Sequence, residues 1–226
     1  MKDEGWDAFR RGARFEGGIR TAVAAWCADR AAAKAQYGPI ASWNTSEITD
    51  MEGLFYKKAD FNEDISRWDV SNVTSLRCTF TYAASFNGDL SRWNVSNVKS
   101  LEGTFVKATS FNGDLSRWDV SSVKALNCTF YKAASFNGDL SRWDVSSVTD
   151  MSSTFNGATS FNGDISCWDV SKVGSFKKTF AQATSFGRVL GGLWPTAIML
   201  VGADRMFARC PGSVEGRPKL ANGTVI

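Results

Sequence analysis

The tryptophans constrain the fold more than any other feature of this chain. Trp43, Trp68, Trp93, Trp118, Trp143 and Trp168 recur every 25 residues without an insertion. Phe80, Phe105, Phe130, Phe155 and Phe180 keep the same period, as do Phe61, Phe86, Phe111, Phe136, Phe161 and Phe186. The unit reads W-[DN]-V-S-x-V-x-x-[LMF]-x-x-T-F-x-x-A-x-x-F-N-G-D-[LI]-S-R, so six copies, the first and last degenerate, occupy residues 43–192. A unit this short cannot close a core alone, so neighbouring coils must stack and share one. The expected architecture is a repeat solenoid, right-handed by the usual preference.

Within a coil the apolar phase changes. Around Trp93 and Val95 the residues alternate inward and outward, as in a short strand. From Leu101 to Phe105 and Ala108 the spacing becomes four and then three, which is one face of a short helix or 3₁₀ segment. The strands of successive coils should form a parallel sheet rising about 4.8 Å per coil. Residues 1–42 are expected to form a helical N-terminal cap: Ile19, Ala22, Val23, Trp26 and Cys27 share a face before Tyr37-Gly38-Pro39 stops the helix. Residues 193–226 are expected to be a C-terminal cap and tail. Ile198 to Val201, Met206 and Phe207 supply apolar cover, and Cys210 to Ile226 runs over the surface.

The strings FNGDLSRWDVSSVTDM and MSSTFNGATSFNGDIS resemble the 25–26-residue surface-protein repeat of bacterial lipoproteins and algal proteins. That family is distantly related to BspA-like leucine-rich repeats. The stretch TAVAAWCADRAAAKAQYGPIASW is similar to the helical lead-in of the algal members. The resemblance implies a leucine-rich-repeat-like α/β solenoid, no enzymatic activity, and association with surfaces or partners. Where a standard leucine-rich repeat has asparagine this unit has Val98, Val123 or Val148, so the usual asparagine ladder is expected to be missing and the stack straighter.

Composition narrows the chemistry. The 226 residues contain no histidine, which removes His-based nucleophile systems and imidazole zinc sites. Twenty-six basic against 23 acidic residues is too balanced to imply a nucleic-acid partner, and no run is long and apolar enough for a transmembrane helix. The five cysteines, Cys27, Cys78, Cys128, Cys167 and Cys210, form no CxxC pair. Their odd count and the absence of a visible signal segment lean toward an intracellular or organellar setting, whereas the resemblance implies the cell surface. Cys78 and Cys128 lie two coils apart, beyond disulfide reach, and Cys167 stands where other coils have an arginine. Five N-glycosylation sequons, at Asn44, Asn72, Asn94, Asn127 and Asn222, follow largely from the repeat's composition.

A fixed period lays like side chains in rows. The candidate binding face comprises Arg67, Arg92, Arg117 and Arg142; Asp69, Asn94, Asp119, Asp144 and Asp169; and Ser71, Ser96, Ser121, Ser146 and Ser171. It reads either as a polar strip for a polymer or protein, or as arginines and aspartates neutralising one another. Asp64, Asp89, Asp114, Asp139 and Asp164, beside Asn62 to Asn162, could stack as a calcium site, but Asn-Gly-Asp before a strand more often caps a turn with Asx hydrogen bonds. The tryptophans belong in the core, and the Thr79-to-Thr179 row should satisfy backbone groups between coils.

These features imply no metal, no cofactor and no catalytic residues, since the carboxylates recur identically instead of forming one unique pair. The reading is a non-catalytic protein-interaction solenoid, a scaffold or accessory subunit of a larger assembly. The alternative is a cell-surface module that recognises a glycan or protein through the Arg/Asp/Ser face.

Overall fold

The computed structural model describes residues 18–217, 219 and 221–225. The part of the expected cap formed by residues 1–17 lies outside the described residues. Two helices lead: α1 over Gly18–Ala28 and α2 over Arg30–Tyr37, followed by a 3₁₀ turn at Ile40–Ser42. Ile19, Ala22, Val23 and Trp26 bury one face of α1, while Cys27 is exposed instead of sharing that face. Asp29 divides what the spacing suggested was one helix. Its carboxylate accepts from the amides of Ala31 and Ala32 at 2.9 and 3.0 Å, an N-cap that starts α2 afresh. Gly38, at φ 73°, closes α2 by donating to the Lys34 carbonyl.

From residue 43 the chain winds as stacked coils whose hydrogen bonds run between equivalent positions. The expected strand at Trp93–Val95 and helix from Leu101 are not what forms. Trp93 to Val95 is an extended corner between two turns, closed by the amide of Trp93 on the Leu90 carbonyl and that of Val98 on the Val95 carbonyl. The parallel pairing lies after Val98, at single bridges linking Asp50, Ser75, Ser100, Ala125 and Asp150 in succession.

In place of a helix, residues 101–108 form a ribbon of consecutive turns. The amides of Leu101, Gly103, Phe105 and Lys107 donate to carbonyls 24 residues on, at Ala125, Asn127, Thr129 and Tyr131. The intervening amides of Thr104, Val106 and Ala108 donate three residues back. A helix would keep every amide bond within its own coil, whereas here alternate amides tie one coil to the next. The ribbon needs left-handed backbone every fourth residue: Gly103 and Lys107 at φ 60° and 53°, Cys128 and Lys132 at 57° and 55°. A four-residue period puts Leu101 and Phe105 inward much as a 3.6-residue period does, which is why the spacing suggested a helix.

The core is a set of ring columns. Phe80, Phe105, Phe130, Phe155 and Phe180 stack on their neighbours at 5.5 to 5.6 Å, and each meets the second phenylalanine of its own coil at 3.9 to 4.2 Å. Each indole N–H from Trp68 to Trp168 donates to a carbonyl 28 residues earlier, just over one period back. The threonine hydroxyls lie between two carbonyls, Thr129 within 3.0 Å of Leu101 O and 2.7 Å of Leu126 O.

The pattern continues past residue 192. The Trp194 indole donates to Ile165 O at 3.1 Å, as its predecessors do one coil earlier, and Phe207 stacks on Phe180 at 5.4 Å. The intervening helix α3, Trp194–Val201, is accommodated as an excursion from this last coil. The closing stretch packs into the fold instead of lying over it: Cys210, Val214 and Val225 are buried. Val189–Leu190 (β1) pairs in parallel with Ser213–Val214 (β2). The final ribbon's edge is covered too, the Phe207 amide bonding Gly223 O and the Arg205 amide bonding the Thr224 hydroxyl. Gly223, at φ 82°, lies where a Cβ would collide with the backbone of Phe207 and Ala208. At the opposite end Arg20 of α1 donates to the Glu52 carbonyl and pairs with Asp50. The closing stretch thus covers the C-terminal edge, which hinders edge-to-edge pairing there, and Arg20 engages one carbonyl of the N-terminal edge.

Candidate functional site

The Arg/Asp/Ser face divides into two chemistries. Asp69, Asn94, Asp119, Asp144 and Asp169 each turn a side-chain oxygen back onto the amide two residues on, at Ser71, Ser96, Ser121, Ser146 and Ser171, over 3.0 to 3.2 Å. The hydroxyls of Ser71, Ser96 and Ser121 donate to the same oxygens. These are Asx turns that shape the corner after tryptophan. Hydrogen bonds from the serines hold the carboxyls of Asp69, Asp144 and Asp169 below the ordinary aspartate value.

Arg67, Arg92, Arg117 and Arg142 are exposed and make no ion pair with the aspartates. Each arginine instead attracts the aspartate three residues before it, Asp64, Asp89, Asp114 or Asp139, without forming a contact ion pair. The arginines thus project as a spaced row of guanidiniums, suited to carboxylate, sulfate or phosphate groups.

The earlier aspartate row behaves likewise. Asp64, Asp89, Asp114, Asp139 and Asp164 accept from the amides of Ser66, Ser91, Ser116, Ser141 and Ser166 at 2.9 to 3.0 Å, and those bonds lower their pKa values. Beside it the asparagines form a ladder of their own, at a position distinct from the one that Val98, Val123 and Val148 hold. Asn62 Oδ1 accepts from the Asn87 amide at 2.9 Å, and the same bond recurs from Asn87 to Asn112, Asn137 and Asn162 before ending on the Gly187 amide. The amide oxygens weighed as calcium ligands are thereby engaged in joining coils.

All five cysteines are free. Cys167 is exposed and donates to Ser141 O, whereas burial pushes the Cys210 thiol up to about 11.

One surface was not singled out by the sequence rows. The left-handed ribbon position holds Lys57, Tyr82, Lys107, Lys132, Gly157 and Gln182 in successive coils. Three ammonium groups lie over tyrosine rings: Lys57 over Tyr56 at 5.1 Å, Lys107 over Tyr82 at 4.6 Å, and Lys132 over Tyr131 at 5.4 Å. Lys107 Nζ also donates to the Tyr82 hydroxyl at 3.3 Å, and Tyr56 meets Tyr82 edge-on at 6.1 Å. Beneath them Ala59, Ala84 and Thr109 floor an open groove of about 650 Å³. The usable signal was variation: most rows are monotonous, but this one changes from coil to coil while remaining basic and aromatic over its first four members.

No helix among the described residues is long and apolar enough to cross a membrane. No curated protein and no solved structure matches the chain. The family model described as "Mycoplasma protein of unknown function, DUF285" matches twice, over residues 27–137 and 113–214. Those overlapping segments run from the last two residues of α1 through α2, every coil and the start of the closing stretch, and on that coverage the chain belongs to the DUF285 family.

Proposed function

We propose that this chain is a leucine-rich-repeat-like solenoid, related to the BspA-like repeats, that serves as a non-catalytic interaction scaffold or accessory subunit. The observation that carries this reading is how the backbone is satisfied. Alternate ribbon amides, the asparagine ladder and the tryptophan indoles all bond from coil to coil, so the side chains outside project from a rigid frame at a constant rise. A frame of this kind presents an extended surface to a partner.

A second reading, a surface module that binds a glycan or protein through the Arg/Asp/Ser face, draws on one specific observation: among the described residues the guanidiniums of Arg67, Arg92, Arg117 and Arg142 make no ion pair. The native mass of the protein in a gentle extract of its source, with crosslinks mapped, distinguishes the two. The scaffold reading expects migration well above 24.7 kDa, with crosslinks from one face to a protein partner. Migration as a lone chain overturns the accessory-subunit role and leaves the surface module.

A further inference from the structure

We propose that the tyrosine–lysine groove on the turn ribbon binds an acidic polysaccharide, with Lys57, Lys107 and Lys132 taking its carboxylate or sulfate groups. The proposal rests on reading the chain as a binding module and names a face and ligand class for it. Among the described residues none of the three lysines, nor the neighbouring Lys58, forms an ion pair, although Arg20, Arg30 and Arg77 all do. The aspartates that balance the chain's charge are folded into Asx turns on other corners of the coil. Asp60 is the acidic residue nearest the groove in sequence, at the first-coil end.

The ammonium groups are also ordered. Tyr56, Tyr82 and Tyr131 hold them by cation–π contact, which reduces the rotamer freedom that flexible lysines lose on binding. Lys107 and Lys132 are one coil apart and Lys57 is two coils from Lys107, so positive charge recurs along a line in steps of about 5 Å per coil.

The backbone argues against an added peptide strand. The amides of Lys57, Tyr82, Lys107 and Lys132 already donate to Thr81, Val106, Tyr131 and Asn156 in the next coil. A strand laid over those four positions would find no amide donors at them, and strand addition derives its affinity from main-chain bonds. What remains is a floor of Ala59, Ala84 and Thr109 with the exposed Tyr82 beside it, flanked by point charges. A pyranoside chain matches both features, setting apolar C–H faces on the floor and anionic substituents against the ammonium groups.

The test is titration of the full chain at low ionic strength with heparin, polygalacturonate, neutral dextran, poly-glutamate and single-stranded DNA. Binding of heparin or polygalacturonate that weakens steeply with salt, with none to dextran, is expected, and the two polymers separate sulfate from carboxylate preference. The triple variant Lys57→Gln/Lys107→Gln/Lys132→Gln should bind at least about tenfold more weakly with an unchanged melting temperature. The matched control Lys99→Gln/Lys124→Gln/Lys177→Gln, at exposed lysines outside the groove and outside the arginine face, should bind as the parent does. Arg67→Gln/Arg92→Gln/Arg117→Gln/Arg142→Gln, which removes the competing face, should lose less binding than the groove variant. Should the groove variant lose its fold, Lys107→Gly offers a second route, because glycine suits that positive φ and removes only the side chain.

Equal or tighter binding of poly-glutamate or DNA overturns the assignment, as does loss of binding in the arginine variant alone, or no polysaccharide binding at all. If no polysaccharide binds while the native chain still migrates in a crosslinked complex, this inference fails and the scaffold reading stands.

Discussion

Small polar side chains do much of the work of joining one coil to the next. Each asparagine from Asn87 to Asn137 donates its amide to the preceding coil's asparagine and accepts the following one through Oδ1. Asn112→Ala should leave the Asn137 amide without its partner and cost about 1 kcal/mol in urea denaturation. Asn112→Asp keeps an acceptor oxygen and should cost less than half of that, so equal losses would refute the ladder's role. The Asx aspartates set a pH dependence. Their folded pKa values are lowered by the serine hydrogen bonds, so their stabilisation is complete above the ordinary aspartate value near 3.9 and is lost as pH falls through the lower folded values. The melting temperature should therefore hold from pH 7 to about 5 and drop below about 4. Asp144→Asn retains the acceptor, as Asn94 already does in the second full copy, and should be neutral at pH 7 with a shallower acid decline.

At the scale of the element, the turn ribbon and the ring columns depend on each other. The ribbon sets the coil spacing, and the rings fill the space that spacing leaves. Phe130 contacts Phe105, Phe136, Phe155 and Trp143 between 3.9 and 6.3 Å and is fully buried. Phe130→Ala should cost about 3–5 kcal/mol by denaturant titration, because rings held on both sides by the ribbon cannot collapse into the hole. A loss under about 1 kcal/mol would mean that the columns are looser than their geometry implies.

For the whole molecule, the ends decide whether the stack survives alone. Trp26 meets Trp43 edge-on at 5.8 Å, Tyr37 meets it at 6.0 Å, and Trp43 stacks on Trp68, so the N-terminal helices cover the open end of the tryptophan column. The ion pair from Arg30 to Glu63, at 2.8 Å, fastens α2 to the first coil. Deleting residues 1–42 should expose that column and cause aggregation, measured by light scattering; a soluble truncation with a single cooperative transition would show that the helices are not required as a cap. The acidic rows are engaged in turns along the full stack, so millimolar calcium should leave the melting temperature nearly unchanged, and a rise of many degrees reversed by chelation would overturn that assignment.

The repeat, its period, the inward tryptophans and phenylalanines and the helical lead-in were legible in the sequence, because a fixed period with fixed apolar phase permits little besides stacked coils. So were the rows of Arg67, Asp69 and Ser71, though not what they do: whether an aspartate meets an arginine or its own backbone depends on corner geometry that spacing does not encode. The turn ribbon was hidden because four-residue and 3.6-residue periods coincide over so short a segment, and only the left-handed backbone at Gly103 and Lys107 separates them. The last coil was hidden by the α3 excursion, which moves Phe207 two residues out of phase although it still stacks on Phe180. The tyrosine–lysine groove, finally, arises from residues 25 and 50 apart, and the tertiary structure alone brings an ammonium over the ring of a neighbouring coil.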